Sequence, residues 1–455
     1  MAEKWEVSPD GLKYKFSLRS GIKCSNGDPV TAYDFEYAWK TALSPELGSK
    51  YAYQLFYVKN GEAYNQGLTT ADKVGVKALD DRTLEVLLER PTAYFLSLTA
   101  FHTLYPVPRR IVEANPKLAA DPKTLVGNGP FKITAWVHNS RIELVKNEHY
   151  WDAGKVKMPK IDFLLTESGR TEIAMFDNNQ IDMGENAPPA EYPRLKKEGR
   201  LQISPYLGTY FFAFNVTKAP LDNVKVRKAL SLAIDRRAII DNVTKGEQKP
   251  AMAWVPPGMA DTSPTADFRA TGGDFFQDRD IETAKKLLAE AGYPDGRGLP
   301  AIELIYNTND VHKAIAEAVQ EMWRKNLGVN VSLTNQEWKV FINTRSKGGY
   351  QIARHGWIGD YADPMTFIDM FDSTSGNNDS QYKNPQYDNF VRLAKSTGNQ
   401  EIRLKAMPGA ETLLLDHADN APDYFYTRVS MVKPNVKGYQ RSVLGHGYFK
   451  EAYVE

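Results

Sequence analysis

Arg354, Trp357 and Asp360 stand close together in the stretch Ala353-Arg354-His355-Gly356-Trp357-Ile358-Gly359-Asp360-Tyr361-Ala362-Asp363-Pro364. A cation, an aromatic ring and an anion are thus offered between glycines, where a surface loop is usually bland. A carboxylate beside an indole can hold an ammonium group when it is well hydrogen-bonded, and a guanidinium suits a carboxylate. The pair therefore fits a zwitterionic ligand such as a peptide. A second arrangement is equally open from these residues alone: Arg354 and Asp360 neutralise each other. On a regular strand Arg354 and Trp357 face opposite ways. Gly356 and Gly359 are expected to relax that constraint through a bulge or a positive-φ turn that brings all three groups to one ligand.

Catalytic chemistry leaves little trace. The seven histidines (His102, His138, His149, His312, His355, His417, His446) include no pair at i,i+4 spacing and no H-E-x-x-H, so a zinc hydrolase lacks its ligands. No G-x-S-x-G elbow is present. Triads can be assembled from distant residues, which keeps a peptide hydrolase as a remote alternative, and no enzyme is expected. The paired glycines of Gly127-Asn128-Gly129-Pro130 are not followed by Lys-Ser or Lys-Thr, and Pro130 removes a donor, so they do not read as a phosphate loop. One cysteine, Cys24, allows neither an intrachain disulfide nor a thiolate metal cluster. No metal or cofactor is expected.

Lys and Arg number 57 against 56 Asp and Glu, a formal charge of +1, which removes the electrostatic case for nucleic acid or an anionic membrane. Aromatic residues make up 11%, with 24 Tyr and 8 Trp, and such amphipathic rings suit recognition surfaces. No apolar run approaches the roughly 20 residues needed to span a bilayer. Met1-Ala2-Glu3-Lys4 is neither a signal peptide nor a lipidation sequence, and strand pattern begins by Tyr14; a trimmed chain is the expectation.

At 455 residues the chain exceeds what one core usually serves, so two or three domains are expected. Residues 12–19 alternate as a strand, Ser25–Pro29 turns, and Thr31 can cap a helix bearing Phe35, Ala38, Trp39 and Ala42 on one face. Tyr51–Tyr57 is an aromatic cluster on either a strand or a helix. Residues 73–89 read as a hairpin about Asp80-Asp81. Strands are expected at 131–133, 142–145 and 161–165, a helix near 170–178, a turn at Asp182-Met183-Gly184, and strands at 201–206 and 209–215. Helices follow at Val224–Val243 and Asp280–Ala291. The clearest pattern is strand 301–306, helix 310–326 capped by Asp310 and closed by Gly328, strand 329–333, helix 337–346 and strand 350–355. That alternation predicts an α/β layer whose sites lie beyond strand carboxyl ends, where Arg354–Asp360 falls. Residues 386–416 read as two helices and 423–432 as a late strand.

Separate segments resemble the solute-binding proteins of bacterial ABC peptide importers, the oligopeptide- and murein-peptide-binding family. They are Lys23–Ala32 (with Cys24 where the family usually has Trp), Gly127–Phe131, Val226–Leu230 with Ile234-Asp235-Arg236, Tyr306-Asn307-Thr308, Asn335–Lys339 and Arg354–Pro364. The resemblance implies an α/β, two-lobed periplasmic-binding-protein fold with an extra accessory domain. The implied division is 1–106 accessory, 107–207 part of lobe I, 208–427 lobe II with the ligand site, and 428–455 a return to lobe I. By the same resemblance Asp360 would hold a peptide α-amine, with Tyr51 and Tyr426 near it and Trp357 in the motif loop with Gly356. Arg354 and His312 would meet the carboxylate or main chain, Asn307 the main chain, Arg345 a further pocket, and Lys245 longer peptides. Three departures stand out: a family segment preceding residue 1 is not part of this chain, a pocket glutamate falls at Ala213, and a cysteine pair falls at Gly208 and Ile358. The implied function is an extracytoplasmic, monomeric receptor in the periplasm or cell envelope that closes on short peptides by hinge motion and delivers them to ABC permease membrane subunits. A murein tripeptide receptor is the alternative.

Overall fold

The computed structural model describes residues 1–115, 121–263 and 265–455. Strands β1 (Ala2–Val7), β2 (Lys13–Leu18), β3 (Val76–Asp80) and β4 (Thr83–Leu87) form an antiparallel sheet in the order β1-β2-β4-β3. Period-two alternation turns Tyr14, Phe16, Leu18, Val76, Leu84 and Val86 to one buried face. Helix α1 (Ala32–Leu43) packs against β3 and β4 with Ala38, Trp39, Ala42 and Leu43 buried. At its start the Thr31 backbone N–H donates to Asp34 Oδ2 at 2.8 Å, and near its end the Trp39 indole donates to Leu104 O. Strands β5 (Phe131–Val137), β6 (Arg141–Lys146) and β7 (Lys160–Leu164) form a separate antiparallel meander.

The large sheet is mixed. Its order is β10 (Lys249–Pro250), β14 (Asn420–Val432), β9 (Leu201–Phe214), β13 (Ile352–Ile358), β11 (Ile302–Asn307), β12 (Val331–Gln336), and β8 (Met183–Gly184) pairs with the far end of β14. β11 is parallel to β12 and β13, whereas β9 runs antiparallel to both β13 and β14. Alternation along β9 splits two cores: Tyr210, Phe212 and Phe214 face one, Phe211 and Ala213 the other. The first core is covered by α3 (Val224–Leu232), α4 (Ile281–Glu290) and α5 (Asp310–Leu327), whose Ile315, Val319 and Trp323 are buried. The second is continuous with the core of the four-stranded sheet and takes in α7 (Pro385–Lys395) and α8 (Gln400–His417). α2 (Gly169–Asp177) lies beside β8, and α6 (Trp338–Ser346) links β12 to β13.

The helix–strand alternation from 301 to 358 stands as the pattern predicts, and across the chain there are four local differences. The expected strands at 201–206 and 209–215 are one strand, β9, which together with β14 runs without a break past positions 208 and 428. Met183-Gly184 pairs with β14 instead of turning. The expected helix Val224–Val243 ends at Leu232 and restarts at Arg236, because Asp235 caps a new turn by accepting from Ala238 N at 2.8 Å. Asn309, not Asp310, caps α5: its Oδ1 accepts from Val311 N at 2.9 Å and His312 N at 3.1 Å. Gly328 closes that helix at φ 68° as its type requires. Asn309→Ala is expected to cost about 1 kcal/mol of unfolding free energy, read by urea denaturation, whereas Asp310→Ala should leave the midpoint within a few tenths of that scale.

Candidate functional site

β13 carries Arg354 on its central stretch, opposite Phe212 of β9. The strand is regular through Gly356, with unbroken register to Ile358, and Gly356 has no positive φ. The expected glycine bulge is therefore absent, and side chains alternate. Ile352 and Arg354 point to the Tyr210 side, while Ala353, His355 and Trp357 point to the other core. Gly356 is small for a packing reason: a Cβ there would run into the Tyr426 hydroxyl. Trp357 is buried at 7% exposure and its indole donates to Thr366 O at 2.7 Å; it braces the loop from within the core.

Arg354 lies with its guanidinium carbon 5.2 Å from the Tyr210 ring centroid. Tyr210 stacks on Tyr424 at 4.8 Å and meets Tyr426 at 6.0 Å and His312 at 5.6 Å. His312 Nδ1 is 3.5 Å from the Tyr210 hydroxyl. Arg354 Nε is buried with no acceptor, and among the described residues no carboxylate forms an ion pair with Arg354. Burial, then the Arg354 charge, pushes His312 well below the usual histidine range, so the imidazole is neutral and Arg354 is the cation of this cluster. Asp423, also buried, has its carboxyl pushed up to about 7 by burial, opposed by Arg236. Asn307 sits at the end of β11 with its Oδ1 buried and without a donor.

Asp360 has a separate setting. Its Oδ2 accepts from Gln54 Nε2 at 2.8 Å and from the Tyr53 hydroxyl at 3.3 Å, and its backbone N–H donates to Thr366 Oγ1 at 2.9 Å. Among the described residues nothing donates to Oδ1 and no cation pairs with the carboxylate. Burial, then the charge of Asp369, pushes its carboxyl up to about 7. Asp369 itself is paired with Lys395 at 3.1 Å. Tyr51 opens the 3-10 turn Ala52–Leu55 and stacks beside Tyr53 at 6.0 Å, against Phe101 at 5.2 Å.

Arg345, on α6, stands with its guanidinium carbon 5.4 Å from the Phe341 ring centroid. It is not free. Its Nε donates to Asp379 Oδ2 at 2.7 Å. The structure thus gathers Arg354, Tyr426 and His312 about Tyr210 and sets Tyr51 beside Tyr53 at Asp360, and Arg354 and Asp360 form no ion pair with each other. Gln54, Tyr53, Tyr210 and Asp379 were not singled out by spacing. Gln54 was visible as the one amide within the Tyr51–Tyr57 aromatic run; Asp379 carried no local signal.

The chain belongs to the bacterial extracellular solute-binding proteins, family 5, whose model matches residues 1–379. It is similar to the oligopeptide-binding protein OppA of Bacillus subtilis, 45% identical over 100% of this chain and 84% of that protein. Among solved structures it resembles Haemophilus influenzae OppA in complex with the peptide RPPGFSPFR, at 35% identity and TM-score 0.91 over 100% of this chain and 89% of that one. Against the unliganded open form of the murein tripeptide binding protein MppA the identity is again 35%, with 100% and 88% covered, but the TM-score is 0.68. At equal identity, that gap places the lobes here nearer to the arrangement of the peptide complex than to the open form.

Gly356→Ala presses a methyl group on the Tyr426 hydroxyl and is expected to cost about 1–3 kcal/mol, measured by urea denaturation; an unchanged midpoint would show that Tyr426 does not rest on this strand.

Proposed function

We propose that this chain is an extracytoplasmic receptor that binds short peptides in a cleft closed by hinge motion and delivers them to the membrane subunits of an ABC permease. One observation carries the reading. A half-buried guanidinium, its Nε fully enclosed, and a half-buried carboxylate lie on one strand and the loop that follows it, and among the described residues neither has an ionic partner. Burial of unpaired charge is costly, and a zwitterion laid between the two relieves both costs. In this reading Asp360 takes the α-amine with Tyr51 near it, while Tyr426, expected at the same end, packs instead on Tyr210 and Gly356 beside Arg354. Arg354 takes the carboxylate, with His312 as a neutral neighbour. Asn307 Oδ1 accepts from a ligand main-chain N–H, which is an obligation of any peptide whatever its sequence. Trp357, Gly356 and Arg345 shape the site.

The relatives named above support the class of ligand, and the division into 1–106, 107–207, 208–427 and 428–455 is proposed with it, the chain acting as a monomer in the periplasm or cell envelope. A murein tripeptide, richer in carboxylates, would call for a second available cation, and Asp379 already holds Arg345.

Calorimetry with trialanine and N-acetyl-trialanine tests the assignment of Asp360. Acetylation removes the charged hydrogen bond from the amine to Asp360 and should weaken binding by about 2–5 kcal/mol; equal affinities would remove Asp360 from the role.

The pH dependence follows from the raised carboxyl. The free protein holds a proton on Asp360 below about pH 7, and an ammonium group favours the ionised form, so binding releases that proton. Affinity for trialanine should rise from pH 5 to 7 and level off until the peptide amine itself deprotonates, near pH 8. Asp360→Asn should flatten the profile. Heats measured at pH 6 in two buffers of different ionisation enthalpy report the proton directly.

A further inference from the structure

Arg345, Asp379 and His355 form a cluster tied to both ends of the site: the Asn377 amide of the Asp379 turn donates at 3.3 Å to the Tyr53 hydroxyl, which reaches Asp360, and His355 follows Arg354 on β13. Asp379 comes from the Gly376-Asn377-Asn378-Asp379 turn, far from α6 in sequence, and its side chain is 8% exposed against 12% for Arg345. The Asp379 carboxylate accepts from Arg345 Nε at 2.7 Å, while His355 Nε2 lies 3.5 Å from the same oxygen. The backbone of Asp379 is fixed as well, since the Tyr350 hydroxyl donates to its carbonyl at 2.8 Å. His355 is stacked on Phe211 with ring centroids 4.6 Å apart, and its Nδ1 accepts from Gly356 N at 2.8 Å. Burial, reinforced by the Arg345 charge, pushes His355 down to about 4. The imidazole is therefore neutral near pH 7, and the cluster holds one positive and one negative charge.

The Arg345 guanidinium carbon lies 5.4 Å from the Phe341 ring centroid and its Nε is held by Asp379. Among the described residues none accepts from its Nη1 or Nη2, which leaves that edge for a ligand. Without Asp379 the stretch between Asp360 and Arg354 would carry a full positive charge of low solvation, which attracts anions and repels cations strongly at short range.

We propose that Asp379 is a specificity-determining residue: by clamping and neutralising Arg345 it makes the middle of the cleft electrically balanced, so that the receptor accepts neutral and charged central side chains alike. This rests on the peptide-receptor reading above and adds to it the residue that sets charge selectivity between the two ends. Asp379 acts through Arg345, as a positioning group.

The test is the ratio of affinities for Ala-Glu-Ala and Ala-Lys-Ala, with trialanine as reference, in the wild-type protein and in Asp379→Asn and Arg345→Gln. In the wild type the two charged tripeptides should bind within about threefold of each other. Asp379→Asn uncovers the cation and should raise the Glu:Lys ratio by about tenfold or more, whereas Arg345→Gln uncovers the anion and should lower it by a similar factor. The double variant should return to the wild-type ratio. Opposite signs in the two single variants exclude a merely structural role, and if one of them fails to fold the sign in the other decides. A ratio that stays at the wild-type value in a folded single variant overturns the proposal. If trialanine itself does not bind the wild type, the peptide-receptor reading falls, and this inference with it; if trialanine binds and only the ratio is unmoved, the receptor reading stands and Asp379 is no selector.

Discussion

A guanidinium withdrawn from water is stabilised by an opposite charge or by well-placed acceptors, and Arg354, half-buried with its Nε enclosed, meets no carboxylate among the described residues. Three other buried arginines meet a carboxylate. Arg269 faces Glu411 at 2.6 Å, Arg403 faces Asp363 at 2.7 Å, and Arg236 faces Asp278 at 3.3 Å. Arg227 is held instead by the main-chain carbonyls of Leu221, His417 and Ala418, whereas Arg354 lies among rings that offer it a π-face and hydroxyl groups. Asp360 is its counterpart of opposite sign, supported by an amide and a phenol but by no cation. What the fold does is keep these two charges apart while holding both beside one region, so that their shared relief comes from outside the chain.

Keeping them apart depends on the sheet and on the joint between its second core and the four-stranded sheet. Regular pairing of β13 with β9 points Arg354 to one core and Trp357 to the other, which commits the loop after Ile358 to the far side. There the joint takes over. Tyr94 stacks on Tyr361 with centroids 5.3 Å apart, Arg403 lies 4.5 Å over the Tyr94 ring, and the Tyr57 hydroxyl reaches Asp369 at 3.5 Å. These contacts bring the Tyr51–Tyr57 turn against Asp360, so Gln54 can donate to a carboxylate 306 positions away in sequence. The long strands β9 and β14 tie this body to the opposite end of the molecule, and their register slips where Tyr426 passes Tyr206, Leu207 and Gly208.

Much of this was legible in the chain because periodicity is a local property. The 301–358 alternation, the hairpin about Asp80-Asp81 and the α1 stripe each follow from the spacing of apolar side chains. The misread points are those where a long-range partner decides. Gly356 reads as a hinge by its type, yet the structure uses its missing Cβ to seat Tyr426. Asp310 and Asn309 are both good caps by composition, and backbone direction chooses Asn309. Met183-Gly184 has too few residues for any pattern, and it becomes a strand only because β14 extends far enough to meet it. Of the candidate residues, the charged motif drew attention to Arg354 and Asp360 directly. Tyr51, His312, Asn307, Arg345 and Tyr426 came from resemblance across the chain, since nothing local marks them. Asp379 was invisible by both routes: it sits in a turn rich in Asn, Ser and Gly, where an acid is ordinary, and its meaning arises only from the Arg345 side chain lying beside it.

The central claim is that a peptide zwitterion completes the two unpaired charges, amine on Asp360 and carboxylate on Arg354. A crystal structure of the protein with trialanine tests it most directly. The account predicts the peptide extended through the region of Tyr51 and Arg345, with its amine within hydrogen-bonding distance of Asp360 and its carboxylate within hydrogen-bonding distance of Arg354. A peptide bound in the reverse direction, or bound elsewhere with Arg354 and Asp360 still unpartnered, would contradict it.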